Sequence, residues 1–128
     1  MRFFPIAVVL AVSTLAPACA SLGEEHFCTL EARSSVQVTV VDAQGNPQRD
    51  ARVTFTRDGG PEQQALCNGG SAPQQGSCDT WVTEYERPGQ FVIKATSADG
   101  QRTVQQQVTV TEDECHVHTE SVKLVLPG

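Results

Sequence analysis

Apolar and polar residues alternate along most of the chain, and this period of two constrains the fold more than any other feature. Val36, Val38 and Val40 share one face of a predicted strand over 35–42, as in a half-buried strand. Further strands are predicted over 51–56, 63–67, 79–85, 90–96, 103–110 and 120–126. No segment has a sustained helical period. The sequence therefore predicts an all-β fold, a seven-stranded antiparallel sandwich.

Two strands carry further information about their position. In the strand over 103–110, Gln106 interrupts the apolar face, which predicts an edge or the rim of a sheet. In the strand over 79–85, Trp81 falls on the apolar face. A lone Trp in an alternating strand is more often a core residue than a platform for a ligand, so we interpret it as core.

Residues 1–18 have the composition of a secretory signal peptide: Arg2 is followed by an apolar run and then by small residues. Ala-x-Ala sites at Ala16 to Ala18 and Ala18 to Ala20 suit an ordinary signal peptidase. The run ending at Cys19, LAPAC, also resembles a bacterial lipobox, in which the cysteine after the cut is acylated. Several acyl chains on one residue would hold it firmly to a membrane.

The cysteine count favours the lipid interpretation. The chain has five cysteines, and an odd number leaves one thiol unpaired in an oxidising compartment. If Cys19 is lipidated, the other four can pair completely; in the alternative, Cys19 leaves with the signal peptide. The predicted organisation is a signal peptide over 1–18, a lipid-anchored tether over 19–34 and a β-sandwich domain over 35–128.

Following the strand direction selects one of three possible disulfide connectivities. Successive antiparallel hairpins place Cys67 and Cys78 at the same end of the sandwich. Continuing along the later strands in the same way brings the chain to the opposite end of the sandwich near Cys115. The segment before the first strand carries Cys28 at that same end. The predicted disulfides are therefore Cys28–Cys115 and Cys67–Cys78.

Charge and composition limit the partners. The net charge is −6, with no cluster of Lys or Arg and with one Tyr and one Trp, so nucleic acid is excluded as an expected partner. The expected contacts are a membrane, through the N-terminal lipid anchor, and an envelope protein or carbohydrate of unknown identity. Ala20 and Ser21 carry no retention charge, which favours the outer membrane as the destination of this exported protein.

One segment has the composition of a chemical site. EDECHVHTE, over 112–120, holds four acidic residues, a cysteine and two of the three histidines. On a strand His116 and His118 would face the same side, about 6 to 7 Å apart, and His26 could join them on a Zn or Cu ion. In the alternative that we favour, both histidines lie hydrogen-bonded at the end of a sheet, and no cofactor is expected.

No catalytic constellation stands out elsewhere. The sequence has no Gly-x-Ser-x-Gly elbow and no phosphate-binding loop. Glu84 and Glu86 flank Tyr85 and are interpreted as solvent-facing charges rather than an acid/base pair. The segment from Asp58 to Ser77 is mostly loop, and such a long loop is either a binding surface or a tolerated insertion.

The run VTVVDAQGNPQRDARVTF, followed by PGQFVIKATSADG, resembles the carboxypeptidase regulatory-like domain. Asp42, Gly45 and Pro47 match its Asp-x-x-Gly-x-Pro turn, and Ala51 matches the small residue that opens the next strand. Gly89 and Phe91 match the later Gly-x-aromatic element. The resemblance implies a transthyretin-like (prealbumin-like) sandwich without catalytic residues. We therefore expect a non-enzymatic, membrane-tethered envelope lipoprotein that acts as a binding or structural module, with the metal-binding protein as the alternative.

Overall fold

The structure is a computed structural model, and it describes residues 27–68 and 77–128. The predicted signal peptide, Cys19, His26 and residues 69–76 of the predicted loop lie outside these ranges. The described residues form eight strands: β1 (Val36–Val41), β2 (Arg52–Arg57), β3 (Gln63–Gln64), β4 (Leu66–Cys67), β5 (Trp81–Val82), β6 (Gly89–Thr96), β7 (Thr103–Val110) and β8 (Glu120–Val125). In these two ranges no helix is long and apolar enough to cross a membrane.

The strands form two sheets of four, with the orders β4-β5-β1-β8 and β3-β2-β6-β7. The predicted all-β fold is thus confirmed, but two details of the prediction are wrong. There are eight strands rather than seven, and β1 and β8 run parallel over six residue pairs. Alternation specifies which face of a strand is buried, not which strand it pairs with. The connection over 111–119 crosses from one sheet to the other and places β8 beside β1, which runs in the same direction.

The eighth strand arises because the predicted strand over 63–67 belongs to both sheets. Its first part, β3, pairs with β2, and its last part, β4, pairs with β5. Ala65 lies between them, buried, and its N–H still donates to the carbonyl of Val53 at 2.9 Å. One side of the sandwich is therefore closed by a strand that passes from sheet to sheet.

The alternating apolar residues fill the space between the sheets, as the sequence predicts. The ring centroids of Phe55 and Phe91 lie 6.0 Å apart, and Trp81 is part of the core. Full burial of one such aliphatic or aromatic side chain stabilises the fold by about 1.5–3 kcal/mol. The other strand residues of this core are Val36, Val38, Val40, Val53, Ile93, Ala95, Val110, Val122 and Leu124.

The turn between β1 and β2 is organised by the carboxylate of Asp42. Its Oδ1 accepts hydrogen bonds from the backbone N–H groups of Gln44 and Asn46, both at 2.9 Å. The backbone hydrogen bond from Asn46 is the largest cause that lowers the pKa of Asp42. Gly45 has a φ of 86°, a left-handed conformation that glycine adopts without steric cost.

A second glycine starts β6. Gly89 has a φ of 140°, and a Cβ at this position would lie 2.7 Å from the carboxylate of Asp58. The same carboxylate accepts a hydrogen bond from the N–H of Gln90 at 2.8 Å. The close approach requires glycine, and it fixes the place where β6 leaves the preceding turn.

Both predicted disulfides are present. Cys28 bonds to Cys115, 87 residues later, and Cys67 bonds to Cys78, 11 residues later. The first ties the segment before β1 to the connection between β7 and β8. The second lies at the opposite end, where the N–H of Cys78 donates to the carbonyl of Arg49. The alternating strand directions from which we predicted the pairs therefore place each cysteine at the correct end of the sandwich.

The two disulfides should differ in how much they stabilise the fold. In the chain-entropy model, replacing Cys28 and Cys115 together by alanine should lower the free energy of unfolding by about 4 to 5 kcal/mol, and replacing Cys67 and Cys78 by about 3 kcal/mol. The difference follows from the lengths of the two closed loops. Urea unfolding of both double variants measures it, and an equal loss in the two would contradict this explanation.

Candidate functional site

The histidine-containing segment between β7 and β8 is a tight turn and not a strand. Oδ1 of Asp113 accepts hydrogen bonds from the backbone N–H groups of Cys115 at 2.8 Å and of His116 at 3.0 Å. The N–H of Asp113 donates in turn to the carbonyl of His116 at 2.9 Å. These backbone donors are the main reason that the pKa of Asp113 is lowered to about 2. The carboxylate therefore shapes the turn in its ionised form.

His116 is buried, and both of its ring nitrogens have protein partners. Its Nδ1 lies 2.7 Å from Oε1 of Glu86. Its Nε2 lies 2.8 Å from Oγ1 of Thr29, which neighbours the Cys28–Cys115 disulfide. The imidazole thus connects the segment before β1 to the turn before β6.

Glu86 is the hub of this cluster. Besides His116, its carboxylate accepts hydrogen bonds from the backbone N–H groups of Arg33 at 2.8 Å and Val117 at 3.1 Å. The hydrogen bond from Arg33 is the largest cause that lowers the pKa of Glu86, followed by the contact with His116. Glu86 has a φ of 55°, an uncommon conformation for a residue other than glycine. Its contacts with two separate segments, at Arg33 and at His116 and Val117, hold it there.

The interpretation of Glu84 and Glu86 as solvent-facing charges is therefore wrong. Both residues are half-buried. Glu84 accepts from Nε of Arg57 at 2.7 Å and from Nε2 of Gln63 at 2.9 Å. The sequence offered one signal for Glu86, since it directly precedes Arg-Pro-Gly, a turn sequence in which the carboxylate can reach back to neighbouring segments.

Glu86, His116 and Thr29 stand in the order carboxylate, imidazole, hydroxyl, which is the order of a hydrolytic triad. In principle such an array can move a proton from the hydroxyl to the ring. Acyl transfer also requires a cavity for the substrate and donors for the oxyanion. The two cavities described below are lined by none of these three residues. We therefore interpret the array as a latch, hereafter the Glu86 latch, that holds the segment 27–35 against the sandwich.

His118 lies in a different environment from His116. Its side chain is 54% exposed. Its Nδ1 is 3.0 Å from Oγ1 of Thr111, and its Nε2 is 3.2 Å from Oδ2 of Asp113. The two histidines therefore do not present free ring nitrogens to a common side. Within 27–68 and 77–128, no group of three or more His, Cys, Asp or Glu residues could hold a metal ion. With His26 outside these ranges, the metal site remains a prediction.

The opposite end of the sandwich carries a cavity of about 410 Å³. Arg49 and Arg52 line it together with Trp81 and the Cys67–Cys78 disulfide. Arg49 forms an ion pair with Asp79 at 2.9 Å. The cavity adjoins the described part of the loop predicted over 58–77. A second cavity, of about 290 Å³, lies on the outer face of β1 and β8 and includes Gln37, Thr39 and Lys123.

No family model, curated protein or solved structure matches this chain. The resemblance to the carboxypeptidase regulatory-like domain thus remains a prediction carried by the turn and strand residues.

The two histidines should contribute unequally to stability. His116→Ala removes both hydrogen bonds of a buried ring, so we expect the free energy of unfolding to fall by about 1–3 kcal/mol. His118→Ala removes an exposed ring, and the change should stay within about 0.5 kcal/mol. Chemical unfolding of the two variants at neutral pH measures the difference. A loss at His118 as large as that at His116 would contradict the latch.

The Asp113 turn should make stability depend on acid pH. Since folding lowers the pKa of Asp113 from 3.8 to about 2, its contribution is present above the unfolded pKa and is lost as the pH falls through the folded one. Asp113→Asn keeps an oxygen for the two backbone donors but cannot titrate. Its free energy of unfolding should therefore fall less than that of the wild type between about pH 5 and about pH 2.

His118→Ala is the matched control for the Asp113 experiment. It leaves the two backbone hydrogen bonds that dominate the lowered pKa, so this variant should keep most of the wild-type slope. The same slope in Asp113→Asn and the wild type would show that another group titrates.

Proposed function

We propose that this chain is an exported lipoprotein, held to a membrane through Cys19, whose sandwich is a non-enzymatic binding or structural module of the cell envelope. The observation that carries the proposal is the pairing of the four cysteines that follow Cys19 into two disulfides. Disulfides of this kind form and persist in oxidising compartments. Complete pairing also leaves Cys19 as the one cysteine available for acylation.

The local geometry supports a sandwich of the carboxypeptidase regulatory-like, transthyretin-like kind. In that family's pattern the Asp-x-x-Gly-x-Pro turn connects two strands, and here Asp42 organises such a turn between β1 and β2. The Gly-x-aromatic element begins β6, where Gly89 permits the approach of Asp58 and Phe91 enters the core. In a module of this kind we expect recognition through its surface rather than catalysis.

The Glu86 latch and the Cys28–Cys115 disulfide support a short tether. Together they fix the segment 27–35 to one end of the sandwich. From Cys28 back to Cys19 the chain has nine residue steps, which span at most about 30 Å when fully extended. That end of the domain would therefore stay near the membrane surface, as suits an adaptor or scaffold in the outer membrane. The partner we propose is an envelope protein or a carbohydrate, bound at the cavity beside the Cys67–Cys78 disulfide.

Cys19→Ala should release the protein from the membrane. In a fractionated envelope the wild type should sediment with the membranes, and mass spectrometry should find an acylated Cys19 at the mature N-terminus. The variant should appear in the soluble fraction, because one or more acyl chains are lost. Ser21→Ala is the matched control and should stay with the membranes. A wild-type N-terminus that begins after Cys19 would refute the anchor.

A further inference from the structure

Strand β7 is a long, regular edge. It pairs with β6 in a one-to-one register over all eight residues, from Gly89 with Val110 to Thr96 with Thr103, so no bulge interrupts it. Among residues 27–68 and 77–128, β6 is the only strand that pairs with it. The opposite side of β7 therefore presents backbone groups that a further strand can bind.

The other three edge strands carry features that discourage such pairing, and β7 carries none. β3 and β4 are two residues long. β8 carries Glu120 and Lys123, and charges on an edge oppose the addition of a strand. The sequence of β7 is TVQQQVTV, without a charge or a proline. The edge is thus long, straight and neutral.

The sequence of this edge is also a palindrome. Residues at equal distances on either side of Gln106 are identical: Gln105 and Gln107, Val104 and Val108, Thr103 and Thr109. In an antiparallel pair of two β7 strands centred on Gln106, every residue would face its own kind. Thr–Thr and Val–Val are favourable cross-strand pairs, and no like charges would be opposed. Such a pairing is isologous, because each contact of one residue with another is repeated with the two copies exchanged across the two-fold axis.

The hydrogen-bonding groups point in the direction that this pairing needs. The N–H of Ser97 donates to the carbonyl of Arg102, and hydrogen-bonded residues alternate along an antiparallel ladder. The even-numbered residues of β7 therefore bond to β6. The odd-numbered residues direct their N–H and C=O groups to the free edge. An independent bond agrees with this, because the N–H of Asp58 donates to the carbonyl of Gln90 and turns that residue of β6 toward β2.

We propose that β7 is a homodimer interface, at which two copies of this chain join their β3-β2-β6-β7 sheets into one eight-stranded sheet. Thr103 of each copy pairs with Thr109 of the other, and Gln105 pairs with Gln107. These four pairs exchange about eight backbone hydrogen bonds. Gln106 lies on the two-fold axis in a non-hydrogen-bonded pair, where side chains come closest.

The proposal accounts for the glutamine in the middle of the strand. Val104 and Val108 on either side of Gln106 pack partly against the core, whereas Gln106 is exposed. Facing its copy across the axis, its amide can donate to and accept from an identical amide. A charged residue at this position would instead be brought next to the same charge. The uncharged amide suits the centre of a symmetric pair.

Antiparallel pairing has a consequence for the tethers. It places the Glu86 latches of the two copies at opposite ends of the joined sheet. Eight strand residues span about 26 Å, which is comparable with the reach of the proposed tether. Both copies can therefore be anchored in one membrane when their strands lie along its plane. The pairing itself does not depend on the anchor.

The first test is the oligomeric state of the full chain carrying Cys19→Ala, measured by sedimentation from about 1 to about 500 µM. We expect a dimer that dissociates on dilution, because an edge pairing buries less area than a standard interface. Gln106→Lys should remain monomeric over this range with unchanged circular dichroism. Gln44→Lys adds the same charge at an exposed turn and should dimerise like the parent. A parent that is monomeric throughout, or a Gln106→Lys dimer, would overturn the proposal.

The second test fixes the register by cross-linking in the exporting cell. The Cα atoms of a non-hydrogen-bonded antiparallel pair are about 4.5 Å apart, within the range of a disulfide. Gln106→Cys should therefore give a covalent dimer on a non-reducing gel. Thr109→Cys should not, since the two copies of this residue would be about 20 Å apart. The wild type controls for Cys19. Cross-linking through Thr109 but not through Gln106 would exclude this register.

Discussion

The carboxylate of Glu86 holds together three segments that are far apart in the sequence. It accepts hydrogen bonds from the backbone of Arg33, the ring of His116 and the backbone of Val117. Removing a half-buried carboxylate would leave these donors without their partner, which costs free energy, so Glu86 and the two segments that it contacts are stable as a set. The Cys28–Cys115 disulfide makes the same connection covalently. Backbone hydrogen bonds also join Arg33 and Ser35 of this segment to Glu84, Glu86 and Glu120.

Features that depend on local pattern could be predicted from the sequence. Alternation identified the buried face of the strands, including the burial of Trp81, and the break at Gln106 indicated an edge. Counting hairpins was enough to select the two disulfides, because their partners depend only on which end of the sandwich each cysteine reaches. The position of β8 beside β1 and the crossing at Ala65 could not be predicted, since both depend on the route of a connection between sheets.

The candidate site was predicted less well because its central residue comes from another part of the chain. The sequence drew attention to His116 and His118 as a pair, yet the structure buries one and exposes the other. Glu86, thirty residues earlier, decides the environment of His116. Its role depends on a backbone conformation with positive φ, which alternation does not reveal. A cluster of histidines and acids in a sequence can therefore indicate a structural junction as well as a metal site.

The crossing at Ala65 bears on how far assembly can proceed. Because the chain passes there from one sheet to the other, the described residues on that side of the sandwich offer only the two-residue strands β3 and β4. A symmetric pair formed through β7 uses the one long neutral edge found in 27–68 and 77–128 of each copy, so these residues leave no equivalent edge for a third. Growth would end at two copies, whereas a head-to-tail contact would propagate into a fibre. In the proposed dimer, the fold thereby combines an edge strand, β7, that pairs with a second copy and a sandwich that is protected against open-ended polymerisation.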